Sequence, residues 1–269
     1  MKHRARKRFG QNFLHDQHVI SNIIRQIQPR PGDHLVEIGP GLGALTLPLL
    51  QSTDRLEVVE LDRDLIPKLE LLCAGQGKLI IHNADALAFD FCALAGDSKL
   101  RLVGNLPYNI STPLIFHLLE QANCIDDMHF MLQKEVVDRL AAKADTRDYG
   151  RLSVMVQYHC QVEKLFNVPP GAFTPAPKVD SAIVRLLPHT SPPVDADPEV
   201  LARLVAQAFS QRRKTLRNTL KTLLDTTEIE ASGIDPQRRA ETLDLTEFAT
   251  LAQCLEKKQT SITNHGLHQ

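Results

Sequence analysis

The sequence predicts a doubly wound, mostly parallel α/β sheet followed by a smaller all-α C-terminal domain. Three observations predict it. The apolar run His34–Ile38 leads through Gly39-Pro40-Gly41-Leu42-Gly43 into a helical pattern from Ala44, the strand–glycine loop–helix unit that opens such sheets. Further short apolar runs then alternate with helical periods. Beyond residue 198 the periodicity is helical throughout. The expected organisation is a first domain over 1–188, a proline-rich linker over 189–198 and a helical domain over 199–269.

Taken in order, the chain begins with Lys2, Arg4, Arg6, Lys7 and Arg8 and continues into Phe9-Gly10-Gln11-Asn12-Phe13-Leu14. Phe9, Phe13 and Leu14 seek burial, so this arm is expected to pack over a ligand site rather than trail as a cationic tail. It leads into no apolar core segment and is not read as a secretory signal. Val19, Ile20, Ile23, Ile24 and Ile27 predict an amphipathic helix over 17–28, ended by Pro29, Pro31 and Gly32. After the glycine loop, Leu56–Val59 is a second strand ending at Glu60, and Leu65, Leu69 and Leu72 mark a helix. Leu79–Ile81 is a third strand, with Asp85 just past it; Leu100–Val103 is a fourth, with Asn105 at its end. Leu114, Ile115, Leu118 and Leu119 share a helix face, Met128–Leu132 is a fifth strand, and helical patterns cover Val136–Leu140 and Leu152–Val156. Lys164–Val168 and Ala182–Leu186 predict a closing antiparallel pair, because no helix separates them. The stretch Phe173-Thr174-Pro175-Ala176-Pro177-Lys178-Val179-Asp180-Ser181 between them is held stiff by its prolines.

Composition narrows the function classes. The formal net charge of −1 excludes a chain that is basic throughout, yet cations gather at the N-terminus and at Arg212, Arg213, Lys214, Arg217 and Lys221. The spacing of four puts Arg213, Arg217 and Lys221 on one predicted helix face. A solvated face is the ordinary reading of such a stripe; Arg212 and Lys214 beside it favour phosphate contacts. The five cysteines form no CxxC pair and are expected to be reduced, mostly buried thiols of a cytoplasmic protein. The eleven histidines show no ligand spacing, so no metal is expected. No apolar run is long enough to span a bilayer, and no membrane association is expected.

Gly39, Glu60, Asp85 and Asn105 fall at the carboxyl ends of four successive predicted strands, the edge where open α/β sheets bind ligands. An acid at Glu60 can accept from ribose hydroxyls, and one at Asp85 from an adenine amino group. The loop reads G-x-G-x-G rather than the dinucleotide G-x-G-x-x-G, so by itself it is weak evidence. At Asn105-Leu106-Pro107-Tyr108 an amide, an unpaired carbonyl and an aromatic face would converge on a planar base that carries an amino group. Phe173 is the candidate for a second wall of that base pocket; a rigid hairpin loop is the alternative.

With these residues assembled, the chain resembles the S-adenosylmethionine-dependent bacterial 16S ribosomal RNA adenine-N6,N6-dimethyltransferase family. The stretches that carry the resemblance are Arg8–Leu14, Val36–Gly41, Glu60–Asp62, Gly104–Asn109, Phe173–Ser181 and Gln211–Asn218. It implies a methyltransferase domain with a helical C-terminal domain, and donor contacts from Asn12, Leu14, Gly39, Gly41, Glu60, Asp85 and Asn105. It further implies four methyl groups placed on two adjacent adenosines, with an immature small ribosomal subunit as the substrate; separately, the protein is expected to act as a monomer. For such chemistry Asn105 and the Leu106 carbonyl would each accept one N6–H, Pro107 would fix the turn, and Tyr108 would stack on the base opposite Phe173. No general base is required, because an alkylated N6 cation loses its proton readily. Three alternatives stay open: a large-subunit RNA adenine methyltransferase of the antibiotic-resistance type, a small-subunit assembly factor acting by binding, and a small-molecule methyltransferase. The C-terminal cations and the N-terminal arm argue against the first, the intact Asn105 turn against the second, and the basic stripe and Phe173 loop against the third.

Overall fold

The computed structural model describes residues 12–266, with side chains through Thr260; the basic arm Lys2–Arg8, with Phe9, Gly10 and Gln11, lies outside the described residues. The chain divides into two compact units, residues 1–137 with 161–188, and residues 138–160 with 189–269. Residues 138–160, assigned from the sequence to the first domain, therefore cluster with the helical part.

The first unit opens with β1 (Phe13–Leu14) and α1 (Gln17–Ile27). Asp16 caps α1 by accepting from the His18 and Val19 amides, and Gln28 closes it in the left-handed region, φ 49°. The helix buries Val19, Ile20, Ile23 and Ile27 on one face, as its periodicity predicts. The alternating part follows: β2 (Leu35–Ile38), α2 (Thr46–Thr53), β3 (Arg55–Val59), α3 (Ile66–Cys73), β4 (Lys78–His82), α4 (Phe91–Ala95), β5 (Leu100–Asn105), α5 (Ser111–Glu120), β6 (Ile125–Gln133) and α6 (Lys134–Leu140). The second unit's α7 (Arg151–His159) runs into β7 (Cys160–Val168), after which β8 (Phe173–Thr174) and β9 (Ser181–Pro188) complete the strands.

Seven strands form one sheet in the order β4-β3-β2-β5-β6-β9-β7. β2 pairs in parallel with β3 and β5, β3 with β4, and β5 with β6, whereas β9 runs antiparallel to β6. All four residues of β2 are buried, the pattern of a central parallel strand covered on both faces. The order reverses at β2, so the segments that leave the carboxyl ends of the paired strands β2 and β5 run to opposite sides and leave a crevice outside those ends. A separate two-stranded ribbon joins β1 to β8, pairing Phe13 with Thr174 and Leu14 with Phe173.

Two polar features sit within this core. The Arg101 guanidinium binds Asp127 through two hydrogen bonds (3.0 and 2.9 Å), Asp33 at 2.6 Å and the Ile27 carbonyl at 2.6 Å, tying the end of α1 to the sheet. Beside it His129 is 4% exposed, and neither of its ring nitrogens is hydrogen-bonded among the described residues. Burial pushes its pKa down to about 4; Asp127 opposes the shift, while Arg101 and Arg185 add to it. A folded value below the unfolded 6.5 means that its stabilising contribution is complete above pH 6.5 and is lost as pH falls towards 4. Urea melts across that window are therefore expected to show the wild type losing about 1–3 kcal/mol more than His129→Leu. Parallel pH profiles for the two proteins would remove His129 as the cause.

Cys92 and Cys124 form a disulfide, S–S 2.04 Å, which corrects the expectation that all five thiols are free. The two are 32 positions apart in no recognisable motif, and only the fold sets their Cα atoms 5.3 Å apart, within bridging range. The Gln121 side-chain oxygen accepts from the Phe91 and Cys92 amides and holds the start of α4 beside Cys124. Cys73, Cys160 and Cys254 are free, the first two buried.

In the second unit α7 is joined by α8 (Pro198–Ala208), α9 (Leu216–Thr219), α10 (Thr226–Ala231) and α11 (Leu245–Gly266). Its core takes Leu201, Leu204 and Val205 of α8 and Phe248, Leu251 and Leu255 of α11, all nearly inaccessible. The rings of Tyr149, Phe209 and Phe248 follow one another at 6.3 and 5.8 Å. The Asp145 amide donates to the Glu241 carbonyl, which with Tyr149 explains why residues 138–160 belong here. The expected linker is pinned to the same unit: Tyr158 donates to the Ala196 carbonyl and Gln253 to that of Asp195.

The basic stripe requires a correction. The helix is only four residues long, so Arg213 and Lys214 lie in the turn before it and Lys221 in the turn after it, not on one continuous face. The turns are closed by Lys214 N–H to the Gln211 carbonyl and Leu223 N–H to the Leu220 carbonyl. All five cations are nonetheless exposed. Arg212 donates to the Arg147 carbonyl. Among the described residues no helix is long and apolar enough to cross a membrane.

Candidate active site

At the switch point between β2 and β5 lies a cavity of about 320 Å³, lined by Asn12–Leu14, the glycine loop, Glu60–Asp62, Ala84–Leu87 and Asn105–Ile110. It collects Gly39, Glu60, Asp85 and Asn105 at one sheet edge, as their strand-end positions predict, and brings in Gly41, Asn12 and Leu14.

The glycine loop turns because Gly39, Gly41 and Gly43 have φ of 67, 59 and 85°. A Cβ on Gly41 would stand 3.3 Å from the Phe13 ring, so its absence lets β1 lie against the loop. Glu60 spans two loops, accepting from the Gly41 amide at 3.2 Å and the Asp62 amide at 2.7 Å. It is 6% exposed; burial raises its pKa, opposed by these amide hydrogen bonds. Each carboxylate oxygen has a second lone pair for a hydroxyl donor. Asp85 accepts from the Leu87 amide through one oxygen, leaving the other for an amino group.

Asn105 is set by a close approach. A Cβ on Gly104 would lie 2.5 Å from the Ile38 carbonyl oxygen, so only glycine lets β5 pass β2 here. The Asn105 Nδ2 donates to the Asn12 carbonyl at 3.0 Å. Because that carbonyl can only accept, the amide orientation is settled, and Oδ1 is the atom left over. Oδ1 has no donor among the described residues, and neither does the carbonyl of Leu106, the next residue. Two adjacent acceptors without a donor among the described residues, in residues that line the cavity, suit a group that donates twice. Pro107 lines the cavity beside them. Tyr108 lines it too; its hydroxyl is 2.7 Å from Ser181 Oγ, and burial raises its pKa.

Phe173 is placed differently from the expected base-pocket wall. It is 3% exposed and packs in the apolar cluster with Leu14, Val168, Ala172 and Ile183, outside the residues that line the cavity. Pairing with Leu14 gives the ring an apolar partner that a proline-rich loop did not announce. The pairing of β8 with β1 runs beside Asn12, which lines the cavity.

Glu37 was missed by the sequence reading. It is 2% exposed, lines the cavity and accepts from Thr46 Oγ1 at 2.6 Å. Burial, with Glu60 nearby, raises its pKa to about 8, so it is mainly protonated at neutral pH. An acid inside the apolar run Leu35–Ile38 was the available signal. Among the described residues no group of three or more His, Cys, Asp or Glu could hold a metal ion.

A doubly wound sheet with a reversed strand beside its last strand, a glycine loop and acids at successive strand ends defines a Rossmann-like methyltransferase. The chain belongs to the ribosomal RNA adenine dimethylase family, whose model matches residues 2–257. A ribosomal RNA small subunit methyltransferase A from Pseudomonas aeruginosa is 63% identical over 256 residues, 94% of this chain and 96% of that one. Another of that name from Nitrosococcus oceani is 58% identical over 96% of this chain and 98% of its own. Among solved structures, a dimethyladenosine transferase from Plasmodium falciparum matches with TM-score 0.79 at 26% identity, covering 92% of this chain and 98% of that one. The 23S rRNA methyltransferase ErmE matches with TM-score 0.71 at 26% identity, covering 91% and 100%.

Proposed function

We propose that the protein transfers methyl groups from S-adenosylmethionine to N6 of two adjacent adenosines in the 16S RNA of an immature small ribosomal subunit, giving N6,N6-dimethyladenosine. The observation that carries this reading is the pair of acceptors that have no donor among the described residues, Asn105 Oδ1 and the Leu106 carbonyl. The choice of small-subunit over large-subunit RNA is supported by the relatives at 58 and 63% identity, since both solved structures stand at 26%.

The cavity residues fit the donor: Glu60 can receive ribose hydroxyls, Asp85 an adenine amino group, and Gly39, Gly41, Asn12, Leu14 and Asn105 complete the enclosure. When bound, S-adenosylmethionine supplies an electrophilic methyl carbon. The chain's task is to present a poor nucleophile. Asn105 and Leu106 hold the two hydrogens of N6, which favours a pyramidal nitrogen with its lone pair free. Pro107 keeps an N–H out of that space, and Tyr108 offers a stacking face worth about 1–3 kcal/mol. A neutral amide at Asn105 avoids the ground-state attraction that a carboxylate would exert on a cationic donor.

The test is methyl incorporation into unmodified small subunits compared with protein-free large-subunit RNA. The expected result is dimethyladenosine in the small-subunit RNA alone. Transfer to large-subunit RNA with none to small subunits would overturn the reading in favour of the resistance-type alternative.

A further inference from the structure

We infer that Ser181 is a positioning residue for Tyr108 and that its weight falls on the second methyl transfer. The inference rests on the proposed function and deepens it.

The Tyr108 hydroxyl lies 2.7 Å from Ser181 Oγ, and among the described residues that oxygen has no other hydrogen-bond partner. Ser181 is fully buried and opens β9 opposite Gln133 of β6. The residue before it, Asp180, accepts from the Lys134 amide at 2.9 Å. The oxygen is thus carried by fixed backbone. The Tyr108 ring is held at both ends, by its backbone in the Asn105–Tyr108 turn and by its hydroxyl on the sheet. A ring so tied keeps one orientation before a base arrives, and binding then orders fewer torsions.

The two transfers make different demands on that ring. Unmodified N6 has two hydrogens, one for Asn105 Oδ1 and one for the Leu106 carbonyl. Once one methyl is in place, N6 keeps a single hydrogen, and one of the two acceptors goes unused. The base has then lost a polar anchor, and its orientation depends more on the Tyr108 face. An untethered ring therefore harms the second transfer more than the first.

The experiment is a time course on unmodified small subunits, with mono- and dimethyladenosine quantified by mass spectrometry. Ser181→Ala is expected to slow the first transfer less than about threefold and the second about tenfold, so that monomethyladenosine accumulates. Tyr108→Phe removes the same hydrogen bond from the other side while keeping the aromatic face, and it is expected to give the same product shift even where Ser181→Ala folds poorly. Ser181→Thr keeps a hydroxyl and is expected to restore dimethyladenosine. An unchanged product ratio in Tyr108→Phe, or equal slowing of both transfers, overturns the assignment. A wild-type protein that forms no dimethyladenosine overturns the proposed function itself, so the two failures are distinguishable.

Discussion

Replacing Asn105 with alanine is expected to reduce methyl transfer about a thousandfold or more while leaving the protein folded. The size follows from what the side chain does. Its Nδ2 is committed to the Asn12 carbonyl at 3.0 Å, so Oδ1 stands oriented without further cost. In the proposed reaction, alanine removes the acceptor assigned to one N6–H, and the nitrogen would lose the geometry that exposes its lone pair. It also removes one hydrogen bond from Asn12, which lines the cavity proposed for the donor, so donor affinity is expected to fall by no more than about tenfold, the value of one hydrogen bond. Single-turnover transfer at saturating donor separates the two effects, and thermal melting confirms the fold. Aspartate is no milder a change. A carboxylate cannot donate to the Asn12 carbonyl, so two acceptors would face each other, and Asn105→Asp is expected to be as inactive as alanine. Near-wild-type single-turnover rates in Asn105→Ala would remove the residue from the chemistry.

Much of this site was legible because strand ends are legible. Apolar runs located β2 to β6 to within a few residues, and Glu60, Asp85 and Asn105 follow from where those runs stop. What escaped was set by contacts between distant short segments. β1 and β8 are two residues each, too short for any periodicity, yet their pairing buries Phe173 and brings Asn12 to Asn105. The need for glycine at 104 arises only from the passing Ile38 carbonyl. The Cys92–Cys124 bridge needs the turn after α5 to meet the start of α4. The expectation that Arg213, Arg217 and Lys221 share one helix face failed for a local reason. Leu216, Leu220 and Leu224 are all buried at a spacing of four, but only Leu216–Thr219 is helical, with turns on either side placing the rest.

Neutralising Arg213, Lys214, Arg217 and Lys221 together to glutamine is expected to weaken small-subunit binding about a hundredfold at physiological salt, with donor affinity unchanged. The four are exposed, and among the described residues none has its charge matched by an ion pair, so they are available to phosphates. Arg212 is left intact because it holds the Arg147 carbonyl, and removing it would confound binding with a change in the loop. Since only Arg217 lies on the four-residue helix and Arg213, Lys214 and Lys221 sit on the turns beside it, their spacing is set by the turns rather than by a helical repeat, and each must be counted singly. If each meets one phosphate, the slope of log K against log salt flattens by about three to four. That slope distinguishes phosphate contacts from a general loss of surface structure, which leaves the salt dependence alone. A matched control changes four other exposed cations of the first unit, Arg25, Arg30, Lys78 and Lys99, by the same charge. Binding by total charge predicts equal losses in the two variants; binding through the turn cluster predicts a loss and a flatter slope in the first alone. Equal losses would therefore reject the cluster as the place where the RNA backbone is held.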